Sequence, residues 1–238
     1  MRRNCDLNEI TDGRKYTAND MVKADCLGCR GCHSCCTGMG DSVVLDPYDI
    51  SRLCAGLKCS FQDLIDRGGI ALGNYDGIIL PYLNTTGADY HCTFLGQPSD
   101  GDAEGRCMIH PMRPGLCRLF PLGRLYENGK FTYCLQTGEC TKTIRSKIKV
   151  EKWVDTKPLK QYDAYIADWH NIVLRSQDAV RILLTREDSA ETRRQVYRFD
   201  LWLLQQYFRQ TLSLDTFYTE FAALSAETDS YIYSLTAE

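Results

Sequence analysis

Five cysteines fall within the eleven residues CLGCRGCHSCC (26–36). Cys26, Cys29, Cys32 and Cys35 recur at every third residue, and Cys36 breaks the series. A segment this dense in sulfur folds around a disulfide framework or around metal, and the compartment decides between them. No run of 18 apolar residues is present, so no membrane span is expected. The start, MRRNCDLNEITDGRK, has no apolar segment after its basic residues, so the reading is cytoplasmic. In a reducing compartment, thirteen cysteines, an odd number, point to metal. The net charge of −3 argues against a nucleic-acid binder.

Thiolates select zinc, iron–sulfur or copper(I). A structural zinc site draws two separate pairs into one tetrahedron. A consecutive triplet suits a larger object, whose several irons each take one sulfur. The spacing C-x2-C-x2-C-x3-C-P of bacterial ferredoxins is such a device. Cys26, Cys29, Cys32 and Cys36 follow it, with Thr37 in place of the proline. Gly28, Gly31, Gly38 and Gly40 let the loop curl and turn N–H groups inward. A 4Fe-4S cluster is therefore favoured, with zinc as the alternative.

More thiols follow at Cys92, Cys107, Cys117, Cys134 and Cys140. Arg113 and Arg118 bracket Cys117, where a guanidinium behind the ligands would favour thiolate; pairing with a surface carboxylate explains them equally well. His33, His91 and His110 lie beside cysteines and read as ligands or as hydrogen-bonding support. Cys54 reads as a core thiol. Cys5 and Cys59 receive no role. Asp46 reads as a helix cap, and Asp41 and Asp49 as solvated.

The composition divides at residue 158. Residues 1–158 carry every cysteine and form a small α+β, metal-binding part of short strands and helices. Residues 159–238 form a C-terminal helical extension. Asp46-Pro47 opens a helix whose apolar face is Ile50, Leu53, Cys54 and Leu57. Ser60 and Asp63 form a capping box for a second, closed by Gly68 and Gly69. SVVL (42–45), GIIL (77–80), CTFL (92–95) and CMI (107–109) read as strands, and 123–133 as a hairpin turning at Asn128-Gly129. TIRSKIKVE (143–151) alternates as a strand with a basic outer face, which suits an edge strand or an anionic partner. Helices are expected over 159–184, through Val196, Phe199, Leu203 and Tyr207, and through Leu214, Phe217, Phe221 and Leu224.

CRGCHSCC (29–36), DPYDISRL (46–53), CTFL (92–95) and CMIHPMRPGLCRLFPLG (107–123) together resemble the CxxCxxCC cysteine-cluster family, also called the YkgJ-like zinc- or iron-chelating domain. The resemblance covers roughly residues 26 to 140. It implies metal ligands at Cys29, Cys32, Cys35, Cys36, Cys92, Cys107, Cys117 and Cys140, with Cys134 competing for the last place and Cys26 an extra rung. His110-Pro111 departs from the family pattern. The flagellin lysine methylases are distantly similar, which implies methyl transfer from S-adenosylmethionine to a protein lysine. The residues do not add to that: Met39 stands where a C-x3-C-x2-C loop would need cysteine, and no G-x-G-x-x-G follows a strand. Three readings result: an iron–sulfur protein, an enzyme of unknown reaction among them; a zinc-stabilised module that binds a protein; and a protein-lysine methyltransferase. A protein substrate or partner is expected, with no catalytic residue assigned.

Overall fold

The computed structural model describes residues 7–26, 32–96, 107–138, 140 and 145–237. The fold is α+β. In chain order the elements are β1 (Met21–Asp25), α1 (Pro47–Leu57), α2 (Phe61–Asp66), β2 (Ile70–Tyr75), β3 (Ile78–Leu83), β4 (Thr85–Thr86), β5 (His91–Cys92), α3 (Gly115–Leu119), β6 (Leu122–Glu127), β7 (Lys130–Leu135), β8 (Ser146–Lys149), α4 (Val150–Val154), α5 (Leu159–Arg186), α6 (Ala190–Leu204) and α7 (Phe217–Thr236). A single helical turn, Leu7–Ile10, precedes them. The strands pair as β1–β8, β2–β3, β4–β5 and β6–β7. The chain forms two compact units: Met1–Val43 with Leu83–Ala167, and Val44–Tyr82 with Asp168–Glu238.

In the first unit, β6 and β7 form the expected hairpin, in register from Leu122↔Leu135 to Glu127↔Lys130. Asn128 and Gly129 turn it at φ 50° and 74°, the left-handed pair whose twist matches that of the strands. The basic strand is real but shorter than its alternation suggests. It ends at Lys149, and Val150 opens α4 instead. Val150, Trp153 and Val154 are all buried, and their i, i+3, i+4 spacing turns the backbone helical there. CTFL and CMI are not strands. Only Cys92 lies in one, and Cys107 makes a lone bridge to Leu95; the rest of each run is turn.

The second unit contains both expected capping boxes. Asp46 and Asp49 exchange backbone contacts at 2.8 and 3.5 Å, and Ser60 and Asp63 do so at 3.1 and 2.8 Å. Asp49 is therefore not solvated but 1% exposed, because its carboxylate serves the cap. SVVL supplies only an isolated bridge, Val44↔Tyr82. GIIL does lead into a strand, β3, which pairs with β2, a strand its own sequence does not announce. The turn between them is Asp76-Gly77, at φ 51° and 98°. Tyr207 and Phe208 are both fully buried because a π-helical turn at Gln205–Arg209 points successive side chains inward. They pack on Trp169, with ring centroids 5.0 and 5.8 Å away. Leu214 is 42% exposed and precedes α7, so it is not part of that helix's stripe.

Candidate metal centre

Within the first unit, three stretches of chain line one cavity of about 50 Å³. The ladder contributes Cys32, Cys35 and Cys36; the segment after β4 contributes Cys92; the segment from residue 107 to 120 contributes Cys107 and Cys117. Val43, Leu83 and Ile109, all buried, form apolar wall, and His110 and Arg113 supply an imidazole and a guanidinium. A single water needs about 10–15 Å³ by the same measure, so the space is larger than one ion requires.

The two turns that replaced the expected strands have matching construction. The Cys92 carbonyl accepts from Leu95 N–H at 2.9 Å, and the Cys107 carbonyl from His110 N–H at 3.3 Å. Each turn presents the N–H two residues on, Phe94 or Ile109, to the cysteine sulfur. Burial pushes both thiols up, and these N–H donors act against it by favouring thiolate. Met108 N–H donates to Phe94 O at 2.9 Å and ties one turn to the other.

The ladder ends in a 3₁₀ turn, Ser34–Cys36. Cys35 and Cys36 place their sulfurs 4.0 Å apart. The Cys36 thiol donates to Cys35, which holds Cys35 down to about 7 against burial, with help from the Arg113 guanidinium. The same bond, burial and the neighbouring thiols hold Cys36 well above the usual thiol range. The pair thus gives up one proton easily and the second reluctantly. Beyond it, Gly38, at φ 67°, donates to Asp89 O at 3.0 Å and fastens the loop beside β5.

Cys117 sits on α3, which is fixed from behind. Arg118 is 3% exposed and turns into the core. It donates to Thr156 Oγ1 at 3.1 Å, to Tyr162 OH at 3.2 Å and to the Arg113 carbonyl at 2.5 Å. Trp153 Nε1 donates to the carbonyls of Leu119 and Phe120, both at 3.2 Å. These contacts set where Arg113 and Cys117 meet the cavity. Arg113 Nη1 lies 3.3 Å from His110 Nε2; burial and this guanidinium push the imidazole pKa down, leaving a neutral ring that accepts the bond.

Cys134, Cys140 and Cys26 do not line the cavity. Cys134 is buried in the β6–β7 hairpin, where Gly123 N–H donates to its sulfur. Cys26 and Cys140 are half-buried, and Cys29 lies outside the described residues. His91 pairs with Asp89 at 2.7 Å, and His33 precedes the 3₁₀ turn. No disulfide joins the described cysteines. Sequence reasoning missed the Phe94 and Ile109 N–H donors and the anchors Thr156 and Tyr162. The repeated pattern of cysteine, one residue, then a large apolar residue, in C-T-F and C-M-I, is the signal that marked the two turns.

Six thiols on a mainly apolar wall are the donor chemistry of a zinc or iron–sulfur centre. Among the described residues, no three cysteine, histidine or acidic side chains already stand at the spacing of a closed ligand shell. Residues 28–137 match the family model CxxCxxCC, described as "Putative zinc- or iron-chelating domain". The matched stretch, just under half of the chain, is similar to that family and takes in the ladder and the segments carrying Cys92, Cys107 and Cys117. No curated protein and no solved structure matches the chain. No described helix is long and apolar enough to cross a membrane.

Proposed function

We propose that the cysteine cavity holds one 4Fe-4S cluster, ligated from the pool Cys32, Cys35, Cys36, Cys92, Cys107 and Cys117, with Cys29 joining from the ladder. The observation that carries the reading is the meeting of six thiols, from three separate stretches of chain, on one cavity of about 50 Å³. That volume exceeds what a single ion needs, and four cysteines suffice for a cube. Cys140 stands off the wall, which favours one centre over two. When bound, such a cluster supplies one-electron chemistry. The chain's own residues direct N–H groups at the sulfurs, keep water out with Val43, Leu83 and Ile109, and place the Arg113 charge against the thiolates.

Anaerobic purification tests this. Brown protein with about four irons and four acid-labile sulfides per chain is expected. Colourless protein holding zinc would replace this reading with the zinc-stabilised module. The separation of the Cys35 and Cys36 sulfurs favours that second reading: at 4.0 Å it is close to the spacing of about 3.8 Å between two sulfurs of a zinc tetrahedron. Methyl transfer rests on family resemblance alone; saturable S-adenosylmethionine binding in calorimetry would support it.

A further inference from the structure

Two cysteines of the second unit are outside this centre. Cys54 is on α1, three residues before its last, and is 7% exposed; Cys59 follows the helix and is half-buried. Between them Lys58 adopts the left-handed conformation, φ 52° and ψ 51°, and both Lys58 N–H and Cys59 N–H close onto the Cys54 carbonyl, the latter at 3.1 Å. This is the Schellman ending, in which the side chains three residues before the cap and two after it come into contact. An apolar pair usually fills those places; here both are thiols. One N–H···O=C bond between the two residues, with ordinary bond lengths, keeps their Cα atoms within the about 4.4–6.8 Å that a disulfide spans.

We infer that Cys54 and Cys59 form a dithiol that closes into a disulfide across the end of α1 by exchange with a small-molecule disulfide. The half-buried Cys59 reacts first. Its thiolate attacks one sulfur of the reagent, giving a mixed disulfide and releasing one thiolate, which takes up the proton Cys59 lost. The Cys54 thiolate then attacks the Cys59 sulfur, forming the internal bond and expelling the second thiol, which takes up the Cys54 proton. The protein loses two electrons and two protons, and the reagent disulfide is reduced to two thiols. Burial raises both thiols, Cys54 to about 12, and the Arg67 guanidinium opposes the rise at Cys59, which supports this order.

Trypsin makes the test direct, because Lys58 lies between the two cysteines and Arg52 and Arg67 flank them. Full-length protein, purified anaerobically, is treated with oxidised glutathione, alkylated under denaturing conditions and digested. Peptides 53–58 and 59–67 should appear joined, lighter than their sum by two hydrogen atoms. In Cys54→Ser protein, Cys59 should instead stop as its glutathione adduct, with metal content equal to that of the parent. Overturning results are both peptides alkylated, a persistent glutathione adduct on Cys59 in the parent, or either peptide joined to a cavity cysteine. Because the readout is a peptide mass, it stands apart from the identity of the metal.

Discussion

Cys36 and Cys134 have the same side chain and opposite surroundings. Cys36 faces five other thiols across a cavity, whereas Cys134 is 3% exposed and takes its hydrogen bond from Gly123 within a hairpin. Cys36→Ser is expected to lose most of the bound metal. Cys134→Ser should keep it and cost about 1–2 kcal/mol, the penalty for a buried hydroxyl replacing a weakly polar thiol. Metal per chain and urea unfolding of both variants check the pair, and equal metal loss in both would return Cys134 to the ligand set. Ladder spacing marked the first thiol because ligands are local in sequence. It could not classify the second, whose neighbour Gly123 is brought there by strand register. Buried acids are hidden for the same reason. Asp200 is 5% exposed and accepts from Ile79 N–H at 3.2 Å, a partner distant in sequence. Burial raises its pKa from 3.8 to about 6. The folded state therefore holds this proton more tightly than the unfolded chain does. The associated stability is fully present below the unfolded value and is lost as pH rises through about 6. Asp200→Asn should flatten the pH dependence between 4 and 6.5 by about 1–2 kcal/mol, read from denaturant midpoints across that range.

At the scale of elements, the helices were legible and the site's turns were not. Caps at Asp46 and Ser60 and aromatic stripes at helical spacing are written in adjacent residues. CTFL and CMI are three or four apolar residues long, too short for periodicity to separate strand from turn. What decides their shape is the N–H to sulfur contact and the bridge Leu95↔Cys107. The support of α3 was equally invisible, since Arg118 reaches residues 38 and 44 positions away. Arg118→Lys retains the charge but not the planar fork, leaving buried acceptors unsatisfied. It should lower stability by about 2–4 kcal/mol and loosen metal at Cys117, measured by unfolding and by competition with a chelator. Unchanged chelator competition would show that α3 holds its place without the arginine. In the other unit, a Cβ on Gly77 would lie 2.9 Å from Val180 Cγ1, at a φ of 98°. Gly77→Ala is expected to cost about 1–3 kcal/mol through strain and overpacking, read as a shift in urea midpoint at constant slope. Gly77→Ala combined with Val180→Ala should recover the overpacking share and leave the strain.

For the whole molecule, the metal's energetic reach follows from which residues share its unit. Binding energy at a thiolate centre is folding energy for the chain that supplies the ligands. Composition places a boundary at residue 158, grouping 44–82 with the cysteines. Contacts group Val44–Tyr82 with Asp168–Glu238 and leave all six cavity thiols in the other unit. Composition registers cysteine and glycine content; it has no access to Asp200 meeting Ile79 or Gln177 donating to the Tyr75 carbonyl at 3.0 Å. Removing the metal by anaerobic chelation should therefore act unevenly. Amide protection is expected to fall in residues 32–43, 85–95 and 107–120, where the chain turns around thiols and has few strand bonds of its own. Protection in α1, β2, β3, α6 and α7 should hold, since their core of Ile50, Phe199, Tyr207 and Phe217 contains no ligand. Hydrogen exchange with and without chelator, resolved by peptide, distinguishes the two groupings. Loss of protection across 44–82 in step with the cysteine turns would make the compositional boundary the energetic one; persistence of that segment with the C-terminal helices would confine the metal's stabilising effect to the unit that binds it.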